Sequence, residues 1–130
     1  MPATLDTRIH RVGQISINVK DLERATAFYR DRLGLQHLFT VPKMSFFDCG
    51  GTRLMLAPAE QPERDHPSSI LYFTVTDIET FHASLVKAGV KSEGDPHFVA
   101  NLGERDLWIG FFRDSEGNLM ALMEEKPYAN

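Results

Sequence analysis

Gln14 to Glu23 reads QISINVKDLE, and Ile70 to Glu79 reads ILYFTVTDIE. In both stretches apolar residues recur at every second position, which is typical of a β-strand with one buried face. Each strand pattern runs into an aspartate followed by a helical pattern, so each predicts a strand that leads directly into an Asp-capped helix. The recurrence of this unit indicates an internal repeat that organises the whole chain.

The later parts of the two copies are also related. Asp48 to Leu56 reads DCGGTRLML, and Asp114 to Leu122 reads DSEGNLMAL, and each contains glycine where a hairpin turn needs a positive φ. If the second turn is a three-residue loop, Phe111 lies opposite Ala121. The register of the first hairpin stays open, because Gly50-Gly51 equally fits a two-residue turn; Arg53 and Met55 share a face in either case.

Together the patterns predict an α+β fold in which two βαβββ repeats form a curved mixed sheet cup with helices on the outer face. We expect a single domain over residues 1–130, with repeat one at about 8–57, a linker rich in Pro and charge at about 58–69, and repeat two at about 70–125. The helices are predicted to begin at Asp21 and Asp77 and to end at Gly34 and Gly89. Further strands are predicted at about 36–41, 44–48, 53–57, 96–100, 107–113 and 119–124.

Strand alternation predicts which side chains face the cup. In the first strand Ile15, Ile17 and Val19 should pack on the helix, which leaves Gln14, Ser16 and Asn18 for the cup. The corresponding cup residues of the second copy are Ile70, Tyr72 and Thr74. The last hairpin adds Ile109, Phe111, Arg113, Leu119, Ala121 and Met123 to the same face, while Trp108, Phe112, Met120 and Leu122 should pack under the helices.

Composition narrows the function class. The 130 residues are 42% hydrophobic and 25% charged, as in ordinary globular domains, with a net charge of −4. Because Lys and Arg are dispersed, we expect no nucleic-acid partner. No apolar run is long enough to span a membrane and Met1–Thr7 lacks the core of a signal peptide, so we expect a cytoplasmic protein without a membrane partner. Cys49, the only cysteine, excludes an internal disulfide and a multi-cysteine zinc site.

At these residues the chain resembles the vicinal oxygen chelate superfamily, which includes glyoxalase I, extradiol dioxygenases, fosfomycin resistance enzymes and bleomycin-binding resistance proteins. The resemblance lies in an ordered set of motifs and covers about Arg8 to Glu125. The motifs are Val19-Lys20-Asp21-Leu22 and Val75-Thr76-Asp77-Ile78 at the strand-to-helix junctions, FYRDRLGL at Phe28–Leu35, and FRDSEGN at Phe112–Asn118.

In metal-dependent members of this superfamily four side chains, two per repeat, hold a divalent ion in the cup. The resemblance places these positions on Gln14, Met55, Ile70 and Ala121. Only Gln14 offers an oxygen, Ile70 and Ala121 offer no lone pair, and the Met55 thioether suits Cu(I) better than harder ions. A single neutral oxygen cannot hold such an ion against water, so we expect no conventional metal site and no other cofactor.

Six residues are candidate ligand-binding residues: Gln14, Arg53, Met55, Tyr72, His97 and Phe111. Tyr72 would orient or stack on a ligand. Arg53 would clamp a carboxylate or phosphate at the rim, or else face solvent or pair with Asp48. His97 begins a strand bordering the cup, as a ligand contact, a proton donor or a structural residue. Phe111 and Met55 either touch the ligand or fill space, and the catalytic residues are unknown.

Two other histidines, His66 in the linker and His82 on the second helix, are expected at the surface.

Three functions remain open. The first is a metal-independent protein of the bleomycin-resistance type that binds an apolar or aromatic small molecule between Met55, Tyr72, Phe111 and Met123. The second is a lyase, isomerase or dioxygenase with a displaced or absent metal, and the third is a binding or regulatory module with a vestigial cup. The resemblance also implies a homodimer, for which exchange of repeat units is one mode of assembly.

Overall fold

The computed structural model describes residues 7–59 and 61–128, which form two four-stranded sheets and two α-helices. The first sheet has the order β1-β4-β3-β2 and the second the order β5-β8-β7-β6. The first half of the chain contains β1 (Gln14–Asn18), α1 (Leu22–Ala27), β2 (Gln36–Val41), β3 (Met44–Cys49) and β4 (Thr52–Ala57). The second half contains β5 (Tyr72–Thr74), α2 (Ile78–Lys87), β6 (His97–Asn101), β7 (Arg105–Arg113) and β8 (Leu119–Pro127). We call the halves the N-module and the C-module; their equal strand orders confirm the predicted fold class.

The strand registers of the two modules also match. In each module the first strand along the chain pairs in parallel with the last one, β1 with β4 and β5 with β8. Ser16 lies opposite Met55 in the first pair, and Tyr72 lies opposite Ala121 in the second. Phe111 lies opposite Ala121, as predicted. The register left open in the first hairpin is now defined, because Cys49 pairs with Thr52 across Gly50-Gly51. Both glycines have positive φ, 59° and 96°, which a two-residue turn of this kind requires.

The two helices begin as predicted. The Asp21 carboxylate accepts a hydrogen bond from the backbone N of Arg24 at 3.0 Å, and that of Asp77 accepts one from the N of Thr80 at 3.1 Å. The first helix differs from the expected regular α-helix, since α1 continues into a π-helical segment at Phe28–Arg32. Tyr29 in this segment is fully buried, and helical periodicity does not indicate the wider turn.

Apolar side chains between each helix and its sheet form the core, and one cluster includes residues of both modules. The largest fully buried side chains include Ile17, Tyr29, Phe47, Phe112 and Met120. The helix-facing sets predicted for β1 and β8 are therefore confirmed. The opposite side of each sheet remains available for a site.

A buried polar network, which we call the junction, joins the modules. The Tyr29 hydroxyl donates to Asp114 Oδ2 at 2.7 Å, and Asn118 Nδ2 donates to the same oxygen at 3.1 Å. Asp114 Oδ1 accepts from the backbone N of Glu116 and of Asn118 at 2.9 and 2.8 Å. Burial, and then the negative charge of Asp114, raises the pKa of Tyr29 well above its ordinary value. The junction therefore holds Tyr29 as a neutral donor.

His82 corrects one expectation. It is only 7% exposed, and its Nε2 lies 2.9 Å from the Ser92 hydroxyl. The prediction of a surface position was wrong because His82 lies one helical turn from both Ile78 and Leu85, so it shares their buried face. His66 is exposed, as expected. Within the part of the chain that the structure describes, no helix is long and apolar enough to cross a membrane.

Candidate functional site

The side of each sheet opposite its helix carries the candidate residues, and we call it the open face of that module. On the N-module, Phe46 and Ser16 each pair with Met55, so their side chains lie on the same side of the sheet. Gln14 and Arg53 are paired in the same way two residues earlier. Alternation along β1, β3 and β4 therefore brings Gln14, Ser16, Phe46, Arg53 and Met55 onto one open face.

Gln14 is already engaged by its neighbours on this face. Its Oε1 accepts a hydrogen bond from Arg53 Nε at 2.7 Å, and its Nε2 lies 3.8 Å from Met55 Sδ. The Arg53 guanidinium also lies over the Phe46 ring, 5.1 Å from the centroid. Two of the predicted site residues, Gln14 and Arg53, thus contact each other directly. Phe46 was not predicted, because the open register of the first hairpin did not say which phenylalanine of β3 faces Met55.

Arg53 does not form the ion pair with Asp48 that the sequence analysis considered. Asp48 is its register neighbour, yet the Asp48 carboxylate accepts from the backbone N of Gly51 at 3.2 Å. Over residues 7–59 and 61–128, no ion pair joins Arg53 to a carboxylate. The open face of the N-module therefore carries an exposed positive charge in a defined position.

A cavity of about 360 Å³ lies beside this cluster. Ser16 and Met55 form the wall nearest Gln14 and Arg53, and the linker forms part of the opposite wall. The full lining is Ser16, Asn18, Met44, Met55, Ala57, Pro58, Ala59, Arg64 and His66. The linker is fixed by Asn18, whose Nδ2 donates to the carbonyl oxygens of Arg64 at 2.6 Å and of His66 at 3.3 Å.

Sequence reasoning missed the two linker residues that border this cavity, Arg64 and His66. His66 Nδ1 lies 2.9 Å from the Pro67 carbonyl, an obligate acceptor, so Nδ1 carries the proton and Nε2 keeps a lone pair when the ring is neutral. In the sequence, the one indication of this contact was that Asn18, a polar residue, occupies a cup-facing position of the first strand. The sequence does not show that the Asn18 side chain binds the linker.

Aromatic and apolar side chains occupy the centre of the open face of the C-module. Tyr72 and Phe111 form an edge-to-face pair with ring centroids 6.0 Å apart. Their register neighbour Ala121 is fully buried, whereas Tyr72 is 46% exposed and Ile70 is 41% exposed. Met123 pairs with Ile109 on the same face. This module therefore presents an exposed aromatic surface.

His97 lies on the same module but not beside Tyr72. Its strand, β6, and the strand of Tyr72, β5, are at opposite edges of the sheet, with β7 and β8 between them. His97 Nδ1 lies 3.1 Å from the Asp95 carbonyl, so this nitrogen donates and Nε2 has the lone pair in the neutral ring. The structure places His97 at the rim of the sheet.

The polar residues of one open face and the aromatic residues of the other make no direct contact with each other in the described part of the chain. In the described residues, no hydrogen bond, ring contact or ion pair connects Gln14, Arg53 or Met55 with Tyr72 or Phe111. The six predicted site residues therefore form a polar group on the N-module and an aromatic group on the C-module, with His97 at the edge of the same C-module face, opposite Ile109.

Comparison with known proteins agrees with this architecture. The family model of the Glyoxalase/Bleomycin resistance protein/Dioxygenase superfamily matches residues 11–122. The chain belongs to this superfamily. The superfamily model spans both modules, so the resemblance noted in the motifs is confirmed across the whole repeat.

Several solved structures of superfamily members share the fold. A lactoylglutathione lyase from Agrobacterium tumefaciens is 21% identical with a TM-score of 0.71, over 90% of this chain and 95% of that one. A superfamily member from Sphaerobacter thermophilus is 24% identical with a TM-score of 0.72, over 90% and 98% of the two chains. No curated protein matches the chain. At these identities the likeness establishes the fold and leaves the activity open.

The resemblance assigns four positions of this chain to metal ligands, and the donor atoms at these positions show whether they suit a cation. Gln14 Oε1, the only hard donor, already accepts the Arg53 guanidinium, and Met55 contributes a thioether beside it. Ile70 and Ala121 contribute no donor atom. Across the described ranges no group of three or more His, Cys, Asp and Glu side chains is arranged to hold an ion. These residues do not fit a hard divalent cation.

Proposed function

We propose that this protein binds a small apolar or aromatic molecule in the superfamily's cup, without a conventional metal site, as the bleomycin-resistance type does. The observation that carries the proposal is the exposed Tyr72–Phe111 pair on the open face of the C-module. Aromatic side chains stabilise a bound ring by apolar contact and edge-to-face packing. Binding sites for small molecules are usually apolar with few polar groups, which this face matches.

In this proposal the ligand contacts are Gln14, Arg53, Met55, Tyr72, His97 and Phe111, and the chain acts as one domain in the cytoplasm. The N-module supplies the polar contacts and the C-module the aromatic ones. Since the polar and aromatic contacts do not touch each other within the described part of one chain, we propose that a homodimer completes the cup by joining the N-module of one chain to the C-module of its partner. The mass in solution tests this step: we expect a dimer, and a monomeric mass at all concentrations would contradict it.

Ligand binding can be tested with naphthamide, a neutral aromatic probe, measured by calorimetry and by the shift in thermal unfolding. We expect saturable binding that Tyr72→Ala weakens by about fivefold, since a lost aromatic contact costs about 1 kcal/mol. Phe98→Ala is the matched control. Phe98 is also an exposed aromatic of the C-module, but its register partner Trp108 packs on the helix side. If both variants weakened naphthamide binding equally, or if neither did, the result would argue against the Tyr72–Phe111 pair as the binding surface.

The alternative is a lyase, isomerase or dioxygenase of the same superfamily with a displaced or absent metal. His97 favours it, because the Asp95 carbonyl holds Nδ1 as the donor and leaves Nε2 as a base. Elemental analysis of protein purified without chelators separates the two functions. We expect no stoichiometric Mn, Fe, Ni or Zn, and one such ion per chain would make the enzyme the better interpretation.

A further inference from the structure

Arg53 is a positively charged side chain held beside Gln14 and Met55, two of the four positions that the resemblance assigns to metal ligands. Gln14 is one of the four implied ligand positions, and its oxygen is bound by Arg53 Nε at 2.7 Å. Met55, a second implied position, lies 3.8 Å from the Gln14 amide nitrogen. The group that this chain presents to a ligand at these two positions is therefore a guanidinium.

Two contacts orient this guanidinium. Gln14 Oε1 accepts a hydrogen bond from Arg53 Nε, and the guanidinium carbon lies over the Phe46 ring, 5.1 Å from its centroid. Phe46 is itself 9% exposed, so it is a fixed platform. An arginine that is already positioned loses less side-chain entropy when it binds a ligand than a mobile one.

The remaining donors of Arg53 are unused. Within residues 7–59 and 61–128, neither Nη1 nor Nη2 of Arg53 makes a hydrogen bond, and no carboxylate pairs with the group. The two Nη groups of an arginine form a planar fork that matches a carboxylate in bidentate geometry. A fork that is held at Nε and open at Nη is arranged to receive a planar anion.

We propose that Arg53 binds the carboxylate of an aromatic carboxylic acid and that this class of compound is the ligand of the cup. The inference rests on the proposed function, which supplies the apolar surroundings. Met55 and the cavity of about 360 Å³ next to it accept the ring of such a ligand, while Phe46 stacks beneath the guanidinium and its bound carboxylate. Gln14 acts as a positioning residue, because it holds Arg53 without offering a charge of its own.

The test compares naphthoate with naphthamide, two probes of nearly equal shape of which only the first is an anion. Calorimetry with the full chain should give naphthoate an affinity at least about tenfold higher than that of naphthamide. This difference is the contribution expected from a charge-assisted hydrogen bond between Arg53 and the carboxylate. Arg53→Gln should lower the naphthoate affinity by about ten- to hundredfold and change the naphthamide affinity less than about twofold. Arg53→Lys should lie between, since it keeps the charge and loses the fork.

Arg32→Gln is the matched control for net charge. Arg32 is exposed on the helix side of the N-module, in a different cavity from the Arg53 cluster, and its loss should leave both affinities unchanged. Thermal unfolding without ligand checks that each variant folds. The side chain of Arg53 is exposed, so we expect no large shift.

The outcomes separate this inference from the proposed function. If both probes bind equally well and Arg53→Gln changes neither, the carboxylate clamp is wrong and the aromatic cup stands. If naphthoate binding depends on Arg53 but not on Tyr72, the clamp stands and the aromatic face is wrong. If neither probe binds, or if Arg32→Gln weakens naphthoate as much as Arg53→Gln does, the clamp is overturned.

Discussion

The junction and the open face of the N-module are both polar clusters at strand ends, but they differ in how fully their groups are paired. Asp114 in the junction is 6% exposed and accepts hydrogen bonds from Tyr29 Oη, Asn118 Nδ2 and two backbone N atoms. Arg53 on the open face is exposed, and among the described residues it makes a hydrogen bond through Nε alone. The motifs that reveal the superfamily, FYRDRLGL and FRDSEGN, contribute the saturated cluster. The difference indicates that the recognisable residues hold the modules together, whereas the proposed ligand contacts Gln14 and Arg53 lie outside the motifs.

The largest expected effect is at the junction. Asp114→Ala leaves the Tyr29 hydroxyl and three N–H donors without their acceptor, so it should lower the free energy of unfolding by about 3 kcal/mol or more. Urea unfolding measures this change. Asp48→Ala is the matched control, since Asp48 occupies the equivalent place in the N-module and accepts only from the N of Gly51. A loss of about 1 kcal/mol or less is expected there, and equal losses would contradict the contrast.

Removing only the hydroxyl from Tyr29 should have a smaller effect. Tyr29→Phe keeps the buried ring and removes one donor to Asp114 Oδ2, which retains Asn118 Nδ2. We expect a loss of about 1–2 kcal/mol in urea unfolding. Tyr128→Phe, at a tyrosine that is 53% exposed, should be neutral. If Tyr29→Phe were also neutral, the Tyr29–Asp114 bond would not be what joins the modules.

The same tyrosine predicts a pH dependence. Burial, and then Asp114, raises the pKa of Tyr29 in the folded chain above its ordinary value of 10.0. A raised folded pKa contributes stability that is fully present below the unfolded pKa and lost as pH rises through the folded one. Unfolding free energies from about pH 8 to about pH 11 should therefore fall more steeply for the natural chain than for Tyr29→Phe. Parallel curves would show that Tyr29 ionises as in water.

The sequence predicted the repeat, the helix starts at Asp21 and Asp77, and the Phe111–Ala121 pairing, because capping, alternation and turn glycines are local properties. It predicted Gln14 and Arg53 as separate candidates but not their hydrogen bond. That contact follows from the parallel pairing of β1 with β4, which joins residues far apart in the chain. Phe46 was missed because the Gly50-Gly51 turn left the register open, and His66 because its position depends on the linker bond to Asn18.

The linker bond itself should have a modest effect. Asn18→Ala removes the donor to the carbonyls of Arg64 and His66, and we expect a loss of about 1 kcal/mol or less. Limited trypsin digestion is the sharper measurement, because a released linker should be cut faster after Arg64. Asn101→Ala is the control, since Asn101 makes a similar bond to Asp106 far from the linker. Unchanged cleavage after Arg64 would mean that Asn18 does not hold the linker against the cavity.

The smallest expected change in stability gives the sharpest test of the contrast between the two clusters. Gln14→Glu places a carboxylate beside Arg53 and so supplies the partner that the open face lacks. An exposed ion pair of this kind should raise the free energy of unfolding by less than about 1 kcal/mol. It should nevertheless weaken naphthoate by about tenfold, because the new carboxylate competes for the fork. Gln61→Glu adds the same charge in the linker, where Gln61 lines a different cavity from the one beside the Arg53 cluster, and it should change neither property. If Gln14→Glu left naphthoate binding intact, the incomplete pairing of Arg53 would not be what makes this face a site.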